Sequence, residues 1–248
     1  MKYDVRRTSQ FMKIFAPDYY REFRCLAGAC RHTCCQGWEI DVDEASLSRF
    51  SSVPEIAAHI SADESAHIVL TEDERCPFLR QDGLCGMILS HGEDMLCDIC
   101  RDHPRFRNYW TDRVELGLGL VCESAGRLIL SRETPLKLVC LHSDDELSEL
   151  PDDEVWLMQY REKLMQSIEN TGPEARLLEY LIYRHLPDAL YDGLVEERTR
   201  FIFAAADEVI SAWSRTTGTM DELVECARQF SYDVEYDDEV LAKRIAEA

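Results

Sequence analysis

The chain has 248 residues, 46% of them hydrophobic, and its 48 Asp and Glu against 27 Lys and Arg give a formal net charge of −21. Such an acidic surface repels phosphate groups, so we expect no nucleic-acid partner and no anionic membrane surface. The acidity favours a neutral or basic partner, such as a lysine side chain or a sulfonium compound, or it serves solubility alone.

The N-terminus and the apolar segments indicate the compartment. No apolar run approaches the roughly 18–20 residues of a membrane span. The segment "MKYDVRRTSQFMKIFAPDYY" at the start has neither the apolar stretch nor the cleavage site of a signal peptide. We therefore expect a cytoplasmic protein in a reducing environment, where disulfides are rare.

The predicted elements of the first part of the chain are short. Residues 42–60 carry two helical patterns interrupted at Pro54, and the β-branched run at 67–70 predicts a strand or hairpin. Apolar residues alternate between 114 and 120, which predicts a strand. A helical pattern follows at 125–129.

The rest of the chain carries helical patterns throughout. The predicted helices cover 152–169, 173–186, 194–215, 219–230 and 237–247. Asp152 and Asp153 are candidate caps of the first of these helices. Pro173 suits the start of the second, and Asp221 lies in the first turn of the fourth.

The eleven cysteines are unevenly distributed: ten lie between Cys25 and Cys140, and only Cys226 lies beyond. Together with the acidic, linker-like segment 142–154, this gradient divides the chain near residue 145. We predict a mainly α fold in which a cysteine-rich, metal-organised part with little β structure precedes a helical part. The two predicted parts are 1–145 and 146–248.

Eight of the cysteines form three dense motifs with polar flanks. They are Cys25, Cys30, Cys34, Cys35, Cys76, Cys85, Cys97 and Cys100. Disulfides do not suit a reducing compartment, and inert core thiols do not suit this density, so the motifs predict a soft metal centre. The other three, Cys122, Cys140 and Cys226, are expected to be buried inert thiols.

The spacing of the cysteines does not distinguish zinc from an iron–sulfur cluster. Zinc sites use close thiolate pairs that complete a tetrahedron, whereas iron–sulfur clusters accept four cysteinates at more varied spacing. The adjacent Cys34 and Cys35 can rarely both reach one ion, and eight thiols make either two sites or one site with spares. The C-x3-C-x2-C triple of radical S-adenosylmethionine enzymes is missing, because Gly37 stands where a third cysteine would follow Cys30 and Cys34.

Several segments resemble the flagellin lysine-N-methylase family. They are "FAPDYYREFRCLAGACRHTCCQGWEIDVD", "CPFLRQDGLCGMILSHGEDMLCDICRDHPRFRN", "LGLGLVCESAGRLIL" and "LLEYLIYRHLPDALYDG". The resemblance covers roughly 14–215. The family belongs to a broader group with a CxxCxxCC-type signature that chelates zinc or iron. The first interval here holds four residues rather than two.

The resemblance implies methyl transfer from S-adenosylmethionine to lysine ε-amines of flagellin or of another lysine-bearing protein. It also implies a cysteine-bound [4Fe–4S] cluster, for which all eight cysteines are ligand candidates. The transfer is a polar displacement that needs a neutral amine in line with the methyl group. No catalytic residue can be assigned, and no Gly-rich nucleotide loop is visible, which favours an α-rich fold.

Polar residues near the cysteines are further candidates. Arg101 and Arg105 can bind the carboxylate of the cofactor, offset thiolate charge or form ordinary salt bridges. His103 suits a metal ligand, a base or a surface position. Glu115 and Glu123 can receive a lysine substrate or belong to a solvated helix end.

The aromatic residues Trp38, Tyr109 and Trp110 can surround a sulfonium group or pack in the core. Two other functions also fit the sequence. One is a non-catalytic zinc- or iron-binding module for structural or interaction purposes. The other is a redox or metal-handling protein with a labile cluster.

Overall fold

The structure, a computed structural model, describes residues 13–61, 63, 65–143 and 149–248. Helices account for 52% of it and strands for 14%, so the prediction of a mainly α protein is confirmed. None of the described helices is long and apolar enough to cross a membrane. Part of the predicted linker, 144–148, lies outside the described residues.

The chain forms two compact units, one inserted in the sequence of the other. The outer unit has two segments, of which the first ends at Phe23 and the second begins at Pro104. The inserted unit is Arg24–His103. These boundaries differ from the predicted division near residue 145, because strands from both sides of the insertion pair in one sheet of the outer unit. All eight cysteines of the three motifs fall within the inserted unit.

The described strands form two sheets, one in each unit. They are β1 (Lys13–Pro17), β2 (Ile40–Asp41), β3 (Ile60–Ser61), β4 (His67–Ile68), β5 (Arg105–Tyr109), β6 (Arg113–Leu118) and β7 (Leu138–His142). The outer sheet has the order β5-β6-β1-β7, and β1 is parallel to β6 but antiparallel to β7. The inserted unit has a small antiparallel sheet in the order β2-β4-β3. The predicted strands near 67–70 and 114–120 correspond to β4 and β6.

The helices of the described chain include the five that the sequence predicts after residue 150. The α-helices of the described residues are α1 (Glu44–Phe50), α2 (Pro54–Ala57), α3 (Gly86–His91), α4 (Asp98–Asp102), α5 (Glu123–Leu130), α6 (Asp152–Gln166), α7 (Pro173–His185), α8 (Ala189–Asp192), α9 (Val195–Ser214), α10 (Met220–Phe230) and α11 (Asp238–Ala246). Pro173 begins α7 and Asp221 lies in the first turn of α10, as predicted. Asp152 and Asp153 lie in the first turn of α6 but do not cap it, because Pro151 occupies the cap position.

Helix α7 lies in the core of the outer unit. Its residues Leu177, Leu181 and Ile182 are fully buried, in one cluster with side chains of α5, α9 and α10. The apolar spacing of these helices, close to the helical period, produces this packing. Because α7 is buried on nearly all sides, its polar residues must find partners inside the protein.

A capping box begins α10. The backbone N–H of Glu222 donates to Oγ1 of Thr219 at 3.4 Å, and the backbone N–H of Thr219 donates to Oε2 of Glu222 at 2.9 Å. Replacing Thr219 by Ala is expected to lower the free energy of unfolding by about 1 kcal/mol, because a helix N–H loses its acceptor. Urea unfolding measures this loss. Thr219→Ser keeps the hydroxyl and should lose much less; equal losses in the two variants would contradict the explanation.

Candidate metal centre

Five of the eight motif cysteines lie in one group, here called the thiol cluster. Cys76 and Cys97 are buried in the hydrophobic core of the inserted unit, and Cys35, Cys85 and Cys100 pack half-buried against that core. The apolar side chains of this core are Ile40, Val42, Phe50, Ile56, Ile68 and Met87. The three motifs of the sequence thus each contribute at least one thiol to the same core.

Local hydrogen bonding brings the motifs together. The backbone N–H of Cys76 donates to the carbonyl of Cys35 at 2.8 Å, which joins the first and second motifs. An isolated β-bridge at Cys85 closes the loop that follows Cys76. Cys97 occupies the N-cap position of α4, and Cys100 lies within the same helix, so both reach the core from one turn.

Two pairs of thiols are hydrogen-bonded, and the bonds shift their pKa values in opposite directions. The thiol of Cys34 donates to Cys35, which lowers the pKa of Cys35 and raises that of Cys34. In the same way, the hydrogen bond between Cys100 and Cys97 lowers the pKa of Cys97 and raises that of Cys100. Burial raises the pKa of Cys76 to about 11. Cys35 and Cys97 are therefore the positions where a thiolate forms most readily.

Cys25 and Cys30 flank a turn at Ala27–Ala29, outside the thiol cluster. Cys25 is exposed, and its sulfur accepts a hydrogen bond from the backbone N–H two residues later at 3.3 Å. Gly28 in this turn packs closely on the second motif, since a Cβ there would lie 2.7 Å from the carbonyl oxygen of Asp82. The first motif therefore packs against the second, but of its four thiols only that of Cys35 belongs to the thiol cluster.

The donor chemistry of the thiol cluster fits a soft metal. Thiolates are the ligands that structural zinc and iron–sulfur clusters share. Across the described residues, no group of three or more His, Cys, Asp or Glu side chains is arranged so that it could hold a metal ion. The described part of the chain thus gathers the donors in one core, but not in the arrangement of a formed metal site.

The other candidates near the motifs have protein partners. Arg101 pairs with Asp98 of the same helix, α4. The guanidinium of Arg105, which belongs to the outer unit, lies 5.3 and 5.9 Å from the centres of two aromatic rings. The ring of His103 lies 5.9 Å from that of Trp38. A role for Arg101 or Arg105 in cofactor binding stays a prediction.

The two glutamates that were candidates for a solvated helix end are buried, so that expectation is wrong. Glu115 on β6 is fully buried, and Glu123 at the start of α5 is 5% exposed. Arg161 donates two hydrogen bonds to Glu115, of 2.6 and 2.8 Å. A carboxylate engaged in this way is not open to a lysine substrate. Trp110 is buried beside the same arginine, 5.1 Å from ring centre to guanidinium, which agrees with core packing.

The cysteines outside the motifs are less buried than expected. Cys122 and Cys226 are half-buried, and Cys140 is exposed. The expectation of a buried thiol is wrong for Cys140 because β7 is the last strand of the outer sheet. Its sulfur lies 3.1 Å from the carbonyl oxygen of His142.

The outer unit contains a buried polar network that no feature of the sequence indicates. Nε2 of His185 lies 2.7 Å from Oε1 of Glu235, and the hydroxyl of Tyr180 donates to the same carboxylate at 3.0 and 3.1 Å. A π-helical turn, Ser231–Glu235, carries the glutamate inward. The half-buried Arg184 lies close enough to lower the pKa of Glu235 through its positive charge. No sequence signal marks this turn, although π-helical turns are rare and often occur at functional sites.

The pair of His185 and Glu235 should make folding less stable in acid. Burial lowers the pKa of His185 below its usual 6.5, so the neutral ring takes up a proton on unfolding. Burial acts to raise the pKa of Glu235, but the hydrogen bond from His185 and the nearby cations outweigh it, and the net shift is downward. The unfolded state therefore binds more protons as the pH falls, first below about 6.5 and then below about 4.3.

We expect His185→Gln to flatten the pH dependence of the free energy of unfolding between pH 7 and 5. Glutamine retains an amide donor for Glu235 but does not titrate. Denaturant unfolding at several pH values measures the slope. An unchanged slope in the variant would show that other groups, and not His185, take up the proton.

Comparison with known proteins confirms the resemblance to lysine-N-methylases over part of the chain. No family model and no solved structure matches. The chain is 26% identical over 129 residues to the lysine-N-methylases of Salmonella choleraesuis (strain SC-B67) and Salmonella typhimurium (strain LT2), a match covering 46% of this chain and 32% of each relative. It is 23% identical over 127 residues to the flagellar biosynthetic protein FliU of Salmonella muenchen, 46% of this chain and 75% of that protein. The match thus spans about a third of the curated lysine-N-methylases.

Proposed function

We propose that this chain acts as a protein-lysine N-methyltransferase that uses S-adenosylmethionine and modifies flagellin, and that its thiols hold a [4Fe–4S] cluster. The similarity to proteins named lysine-N-methylase carries the proposal. The similarity to a protein named for flagellar biosynthesis supports flagellin as the lysine-bearing partner. The names of these relatives support a methylase-related role, to which we add the methyl donor and the iron–sulfur cluster.

The thiol cluster supplies the first candidates for the ligands of the iron–sulfur cluster. They are Cys35, Cys76, Cys85, Cys97 and Cys100. Four thiolates suffice for a [4Fe–4S] cluster, so one of the five would be a spare. When bound, the cluster would order the inserted unit and could bind the amino and carboxylate groups of the methyl donor. Arg101, on the helix that carries two of these thiols, would offset part of their negative charge.

The protein must also present a neutral lysine amine to the methyl donor. Free lysine has a pKa near 10.4, so the amine must lose its proton through desolvation or to a general base. The net charge of −21 attracts a basic segment and raises its local concentration. Glu115 cannot be that base, because Arg161 occupies both of its carboxylate oxygens.

Purification without oxygen tests the proposal. Iron, sulfide and zinc would be measured together with the visible absorbance, and the same sample would be titrated with S-adenosylmethionine. A labelled methyl donor and purified flagellin then test the transfer itself. We expect a brown protein with about four irons that binds the donor and labels flagellin. A colourless protein that does not bind the donor would contradict the proposal.

The alternative is a non-catalytic zinc- or iron-binding module that supports structure or protein contacts. One observation favours it. Cys76 and Cys97 occupy core positions in a small unit, where a bound metal contributes directly to folding. Such a module would bind metal and lose stability with a chelator, but it would not bind S-adenosylmethionine.

A further inference from the structure

The outer unit contains a small cavity lined by two arginines, Arg132 and Arg176. Its volume is about 10 Å³, which is room for about one particle of the size of water. Tyr19, Glu179 and Tyr180 also line it. Arg132 follows the end of α5 and Arg176 lies in the first turns of α7, so the cavity joins two helices of the core.

Three nitrogen atoms of these arginines lack an acceptor. Arg176 is 3% exposed, and its Nη2 pairs with Oε1 of Glu179 at 2.9 Å, but its Nε and Nη1 are buried without a partner. The side chain of Arg132 is 13% exposed, and its Nη2 pairs with Asp18 at 2.8 Å, but its Nε is buried without a partner. Buried donors are nearly always hydrogen-bonded, so three such groups beside one cavity indicate a missing acceptor.

The donors beside the cavity outnumber their acceptors. Each guanidinium has one carboxylate partner, Glu179 for Arg176 and the one-third exposed Asp18 for Arg132, and each ion pair uses an Nη2 atom. The Nε atoms of both side chains and Nη1 of Arg176 are left without an acceptor. A water molecule accepts at most two hydrogen bonds and must donate its own, whereas a halide ion accepts from all three N–H groups.

We propose that this cavity binds one small monovalent anion of the halide class, chloride, between Arg132 and Arg176. The anion supplies the acceptor that both guanidinium groups lack. It thereby links the end of α5 to the start of α7. This site is independent of the thiol cluster and of the proposed methyl transfer.

Thermal unfolding tests the site in the intact protein. Sodium chloride would replace sodium gluconate at constant ionic strength, because gluconate is too large for the cavity. We expect a saturable rise of about 2–4 °C in the unfolding midpoint with chloride. Arg132→Gln should abolish the rise. Arg127→Gln, which removes an exposed arginine paired with Asp221, should keep it.

A second measurement does not depend on any variant. Crystals grown in bromide should show an anomalous peak between Arg132 and Arg176. The proposal is overturned if chloride and gluconate give the same midpoint in the unsubstituted protein. A well-ordered water without anomalous signal at this position would equally overturn it.

Discussion

Replacing Arg161 by Met is expected to lower the free energy of unfolding by about 3–5 kcal/mol and the thermal midpoint by about 10 °C. The side chain of Arg161 is 10% exposed and that of its partner Glu115 is fully buried. The guanidinium also lies 5.1 and 5.7 Å from the ring centres of Trp110 and Tyr183. Without the cation, a carboxylate would remain in a low-dielectric interior with no counter-charge, which is the most costly outcome of breaking such a pair.

A matched exposed pair separates burial from the loss of an arginine. Arg127 and Asp221 approach to 2.7 Å, but their side chains are 44% and 57% exposed. Arg127→Met should therefore change stability by less than about 1 kcal/mol. Chemical denaturation of both variants makes the comparison.

The double variant Glu115→Leu with Arg161→Met tests the cause of the loss. It removes both charges, so it should recover much of the stability that Arg161→Met alone loses. A double variant as unstable as the single one would show that the aromatic contacts of Arg161 dominate. Equal effects of the buried and the exposed arginine would contradict the role of burial.

The helices after residue 150 could be predicted because local signals determine where they begin and end. Pro173 begins one, and Gly218, with a φ of +81°, separates two others. The outer sheet could not be predicted, because β1 pairs with β6 and β7 across the whole inserted unit. Alternating apolar residues indicate a strand but carry no information about its partner.

The thiol cluster could be predicted only as a set of candidates. Spacing shows that eight cysteines are unusually dense, but it does not distinguish Cys25, which is exposed, from Cys97, which is buried. Buried ion pairs are still harder to predict from the sequence. Glu115 and Arg161 lie far apart in the sequence, and charged residues are normally exposed unless they are paired. Only the tertiary structure reveals the pairing.

Cys97→Ser is expected to reduce the bound iron by about tenfold or more if the thiol cluster holds the metal, as we propose. Altering groups that merely support a ligand already costs about 10–100-fold in metal affinity, and Cys97 is itself a candidate ligand. Its pKa is lowered by the hydrogen bond from Cys100, so it is the thiol of its pair that is more readily deprotonated for metal binding. Iron and sulfide analysis and the visible spectrum of protein purified without oxygen measure the loss.

Cys140→Ser is the control, because Cys140 is exposed on β7 and lies in the outer unit. It should keep the full metal content and the same visible spectrum. Far-UV circular dichroism shows whether Cys97→Ser is still folded, and Cys85→Ser, at a half-buried position, provides a milder second variant. If both cluster variants retained iron while Cys25→Ser lost it, the ligands would lie in the exposed turn. The buried thiols would then be packing groups, and apolar contacts alone would stabilise the core of the inserted unit.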